Sequence, residues 1–174
     1  SLTAMTDYFE RLGLPRRFSI DAAALERAYL AASRAVHPDY HAAGTDADLA
    51  VSLEASAAVN EAYATLRDPF TRADHLLGLL GGPTATEHKQ MPPAFLAEML
   101  EAREQVEEAR GNPGATARLE AAFTGQYNEL MAQVGGAFGR LEIGPPAANL
   151  LAQVRGLLNA AKYVRGLLRD LNAD

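Results

Sequence analysis

Apolar residues recur at intervals of three and four along nearly the whole chain, and the strict alternation of a half-buried strand is almost absent, so the pattern predicts an all-α protein. Thr6-Asp7 offers a cap for a short first helix carrying Tyr8, Phe9 and Leu12, which stops at Gly13-Leu14-Pro15. Asp21 offers another for a second helix, whose stripe of Leu25, Ala28, Tyr29, Ala32 and Val36 runs straight into His37. There the helix must end, because Pro38 fixes its own φ and pushes the residue before it out of the α region. Thr45 to Asp48 has the form of a capping box with Asp in the last position. It starts a third helix running to about Arg67, with Val59, Ala62, Tyr63 and Leu66 on one face. Two helices joined by a loop of this length normally pack antiparallel, which puts His37-Pro38-Asp39 at the open end of a hairpin. Asp68-Pro69 begins a short fourth helix through Leu80.

Gly81-Gly82-Pro83 opens a polar stretch that closes at Pro92-Pro93 and reads as a linker over 81–93, between an N-terminal domain at 1–80 and a C-terminal one at 94–174. Three further helices are expected at about 94–110, 115–134 and 146–172, broken by Gly111-Asn112-Pro113-Gly114 and by Gly135-Gly136 through Pro145-Pro146. With short connections they can close a three-helix bundle.

Helical geometry sorts the side chains of the first of these three. Phe95, Met99, Ala102 and Val106 form one stripe, the natural core face, and Ala97, Glu101, Glu104 and Glu108 form another on the opposite side. Leu96 and Leu100 fall between them, roughly 100–130° from the core centre, too far round for the bundle alone to bury Leu100. Exposed leucines beside an acidic stripe suit a protein partner with an apolar spot and basic residues. On the last helix, Leu150, Val154, Leu157, Ala161, Val164 and Leu168 have core spacing, and Tyr163 lies more than about 120° from that stripe. Tyr163 is then either partly buried against a neighbouring helix or an exposed anchor.

The formal charge of −6 argues against nucleic acid as the main partner. The absence of cysteine excludes disulfides, thiolate metal sites and cysteine nucleophiles. No charged start followed by an apolar stretch marks a signal peptide, and no apolar run approaches membrane-spanning length, so a cytoplasmic protein with no membrane partner is expected. His37 and His41 have the spacing of a metal pair, but Pro38 breaks the helix that would align them. A His37–Asp39 acid–base pair lacks a nucleophile and a pocket.

Leu25 to Asp39, with Tyr29 and His37-Pro38-Asp39, together with Val59-Asn60-Glu61-Ala62-Tyr63-Ala64-Thr65-Leu66-Arg67-Asp68-Pro69 and Arg72-Ala73, resemble the second and third helices of a J domain. J domains are the DnaJ-type modules that stimulate ATP hydrolysis by DnaK-type chaperones. Asp7-Tyr8-Phe9 through Gly13-Leu14-Pro15, and Phe95-Leu96 through Glu108, narrow the resemblance to the HscB family, J-type co-chaperones of iron–sulfur cluster assembly, over essentially the whole chain.

The resemblance implies two partners, the ATPase HscA and the scaffold IscU, and neither enzymatic activity nor a cofactor or metal. It implies chaperone contacts at His37, Pro38 and Asp39, with Arg27 and Arg34 on the preceding helix, and scaffold contacts at Leu96, Ala97, Leu100, Glu101, Arg103, Glu104, Glu108 and Tyr163. The second helix is less basic than in many J domains, with Leu30 and Ala31 beside those arginines, and Tyr40 stands where a basic residue is common. A monomer is expected. The alternative is a J-domain co-chaperone that shares the trigger but serves a different client.

Overall fold

The computed structural model describes residues 4–37, 39, 44–145 and 147–173. Pro38, Tyr40 and His41 lie outside the described residues. The described residues form seven α-helices and no strand: α1 Tyr8–Arg11, α2 Ala22–Val36, α3 Asp46–Arg67, α4 Pro69–Leu79, α5 Pro93–Glu108, α6 Pro113–Ile143 and α7 Ala148–Leu171. The chain divides into two compact units, Ser1–Leu79 and Leu80–Asp174.

In the first unit, local chemistry sets most helix ends. The Asp7 carboxylate accepts hydrogen bonds from the Phe9 and Glu10 amides at 2.9 and 3.2 Å, starting α1, and from Arg16 Nε at 2.6 Å. Asp21 caps α2, and Thr45 with Asp48 closes the reciprocal capping box of α3. Tyr29 of α2 stacks on Tyr63 of α3 at 4.2 Å between ring centroids, and its hydroxyl donates to Asn60 Oδ1 at 2.8 Å. That contact lies before the end of α2 and well after the start of α3, so the pair runs antiparallel. Phe9, Leu25, Val59, Ala62, Leu66, Ala73 and Leu77 fill the core. Burial of a side chain the size of Phe9 stabilises by about 1.5–3 kcal/mol.

A polar tie joins the two ends of this unit. The Tyr8 amide donates to His75 Nε2 of α4 at 3.1 Å, and the buried imidazole stacks on the Tyr8 ring at 4.4 Å. Burial lowers the His75 pKa, Asp7 and Asp74 oppose that, and the Arg16 charge adds to it. The neutral ring is therefore the native form, with its free lone pair on the nitrogen that accepts.

In the second unit, Met99, Ala102 and Val106 of α5 pack with Phe123 of α6 and with Val164 and Leu167 of α7. Two expectations change here. The glycine pair at 135–136 does not end α6, which continues to Ile143. Val134, Ala137, Phe138 and Leu141 are buried around it, and α6 packs along α7, so burial outweighs the roughly 1 kcal/mol per residue that glycine costs in a helix. The buried face of α7 is also wider than the expected stripe: Val154, Ala161 and Val164 are buried as expected and Leu151, Leu158 and Leu167 are buried beside them, whereas Leu150, Leu157 and Leu168 are only half-buried. A helix packed against two neighbours buries an arc wider than a single stripe, centred between them.

The segment from Pro83 to His88 is held to α7. Two buried polar side chains reach it, Arg155 Nε donating to the Pro83 carbonyl at 2.9 Å and Asn159 Nδ2 to the His88 carbonyl at 2.8 Å. Thr84 and Glu87 cap each other's amides between those points.

Candidate functional site

At the end of α2 the backbone turns as a residue before proline must, with His37 at φ −65° and ψ 134°. The Asp39 amide donates to His37 Nδ1 at 3.2 Å, and the Asp39 carboxylate lies 3.6 Å from the same nitrogen. With Nδ1 accepting, the neutral ring carries its proton on Nε2. Both side chains are exposed, Asp39 almost fully, and a shallow hollow between them is lined by Ser33 and Arg34. Arg27 and Arg34 are both exposed and sit two turns apart on the same side of α2. One carboxylate, one imidazole and one guanidinium thus meet at an open corner, where they can make directional polar contacts to another protein.

The second candidate surface lies on α5 and α7. Leu100 is 62% exposed and Leu96 42%, and Ala97, Glu101, Arg103, Glu104 and Glu108 are all exposed around them. The core stripe of α5 turns Met99, Ala102 and Val106 inward and leaves these positions outside. Tyr163 is 38% exposed and meets the edge of Phe95 at 5.8 Å in a T-shaped contact. It is therefore partly buried against the neighbouring helix on one side and exposed on the other.

The structure brings Arg103 of α5 and Tyr163 of α7 to the same cleft, of about 440 Å³, and places Lys89, Lys162 and Arg169 there too. Glu101, Glu104 and Glu108 are not among its lining residues. Sequence reasoning gathered neither lysine. The available signal was the spacing of Lys162, Tyr163, Gly166 and Arg169 on one face of α7, but Lys89 precedes α5 and reaches the cleft only through the tie of its segment to α7.

Comparison with known proteins covers both units. Residues 91–172 match the family model described as the HSCB C-terminal oligomerisation domain. The chain is 42% identical over 132 residues to a co-chaperone protein HscB homolog of Chromobacterium violaceum, covering 75% of each chain, and 44% identical over 128 residues to one of Bordetella petrii, covering 73% of this chain and 75% of that one. Among solved structures, it is similar to chaperone HscB from Vibrio cholerae, with a TM-score of 0.78, 28% identity and 95% of each chain covered. It is also similar to human co-chaperone protein HscB, with a TM-score of 0.82, 26% identity, and coverage of 98% of this chain and 83% of that one.

Proposed function

The chain belongs to the HscB family of co-chaperones, and from that premise we propose that it binds an IscU-type iron–sulfur scaffold, delivers it to a DnaK-type chaperone of the HscA kind and stimulates that chaperone's ATPase. Residues 1–80 act as the J domain, 81–93 connect, and 94–174 carry the client. The adaptor works in the cytoplasm as a monomer and catalyses no reaction itself.

The observation that carries this reading is the open corner at the end of α2, where His37, Asp39 and Arg34 line one hollow. The His37 Nε2–H and the Asp39 carboxylate offer a donor and an acceptor beside a backbone whose φ the proline restricts, which leaves less backbone entropy to lose on docking. Arg27 and Arg34 add charge that favours an acidic chaperone surface and speeds encounter. On the other unit, Leu96 and Leu100 supply apolar contact, Tyr163 an aromatic anchor, and Glu101, Glu104 and Glu108 orientation, with Ala97 and Arg103 at the margin. Coupling is the purpose of the arrangement: the client reaches the chaperone as hydrolysis closes it.

Substitution of His37→Gln removes the imidazole and is expected to abolish stimulation of the chaperone's ATPase while scaffold affinity stays unchanged. Normal stimulation by that variant would sink the assignment. Stimulation without any binding of the scaffold would point instead to a J protein with a different client.

A further inference from the structure

The chain has only two lysines, and both line the cleft beside Tyr163. Among the described residues, Lys89, Arg103, Lys162 and Arg169 share the cleft lining with a single carboxylate, Asp170, which lies 3.6 Å from Arg169. Among the described residues no carboxylate pairs with Lys89, Arg103 or Lys162. In a chain of formal charge −6 this is a local reversal of sign. Four cations beside one carboxylate repel one another more than that carboxylate offsets, so an anion entering the cleft would relieve the repulsion.

The position of the cleft says which anion. On α5, Leu96, Leu100 and Arg103 fall within about 60° of one another, so the leucine stripe leads into the cleft through Arg103. On the far side of the same leucines stand Glu101, Glu104 and Glu108. The surface is therefore polarised, acidic on one flank and basic on the other, with an apolar strip between. A nucleic-acid backbone long enough to follow the strip would be repelled by the glutamates. A protein with an apolar spot flanked by basic residues on one side and acidic residues on the other fits in one direction only.

We propose that this cleft receives an acidic segment of the partner that covers Leu96 and Leu100, and that the opposed charges fix the direction in which that partner docks. The proposal rests on the reading of α5 as the scaffold-binding helix. It adds Lys89, Lys162 and Arg169 to the interface and assigns the tie of Asn159 to His88 the task of holding Lys89 against α7.

The test titrates the scaffold protein into the full chain and into a Lys89→Glu, Lys162→Glu variant at low and high salt, with a Lys89→Arg, Lys162→Arg variant as control. Charge reversal is expected to weaken binding roughly ten-fold at low salt and to flatten its salt dependence, while the arginine variant behaves as wild type. Equal affinity and equal salt dependence in the reversed variant would overturn the proposal. If the wild-type chain fails to bind the scaffold, the reading of α5 falls. A labelled oligoglutamate peptide then decides the cleft: binding that the reversed variant loses supports an acidic occupant, and no difference between the two chains overturns it.

Discussion

The corner at His37 and the face on α5 and α7 are built in opposite ways. Among the described residues no side chain of the corner is buried, and its shape comes from the backbone: a capped helix, a residue held extended before proline, and one amide donating to one imidazole. The face is held from beneath, with Tyr163 braced on Phe95 and the leucines carried by a helix whose other side is sunk in the core. A surface fixed by local backbone chemistry is written in a short run of residues. A surface fixed by packing is distributed over the chain, because each exposed position is defined by what its neighbours bury.

The sharpest way to break this comparison is to remove the apolar strip. Leu96→Ala with Leu100→Ala is expected to weaken scaffold binding by about 2–4 kcal/mol, in the range of interface hot spots, with no loss of helix content. Isothermal calorimetry with circular dichroism reads both, and unchanged affinity would mean that the face is merely solvated.

A smaller effect separates the two units by pH. His75 has its native pKa below the ordinary 6.5 because burial favours the neutral ring. Between the two values the unfolded chain binds more protons than the native one, so the His75 contribution is fully present above about pH 6.5 and is lost as pH falls toward the native value. The first unit should therefore lose stability on acidification through that window, and His75→Gln should flatten the dependence. Hydrogen exchange at the Tyr8 amide, measured across the range, checks this. Protection that stays constant would show that His75 does not couple this unit to pH.

The least effect is expected at Gly136, which lies exposed within α6, with no neighbouring atom within 4 Å of the place a Cβ would take. Gly136→Ala should stabilise by about 0.5–1 kcal/mol by lowering the entropy of the unfolded chain. A thermal melt that drops instead would show that the glycine is required where α6 continues.

Much of the first unit was legible along the chain because its signals are local. Asp7, Asp21, Thr45 and Asp48 cap the helices that they were expected to cap, whereas Asn112, read only as part of a break, caps α6 after Gly111, whose φ is +75°. His75 was not singled out, since a histidine in an amphipathic helix gives no sign that a distant amide will seek its nitrogen. The misplaced end of the sixth helix has the same origin. Gly135-Gly136 is a strong local stop signal, and only the burial of Val134, Ala137 and Phe138 against a neighbour overrides it.

By itself, the sequence determined an all-α fold, the ends of most helices, the motif at 37–39 and the outward leucines of α5, because caps, prolines and helical periodicity act within a few residues. Tertiary structure alone decided which arc of α7 is buried, that Tyr163 is braced by Phe95, and that Lys89 and Lys162, seventy-three positions apart, share one cleft. Those outcomes depend on how helices rotate against one another to fill space, and no local pattern carries that rotation.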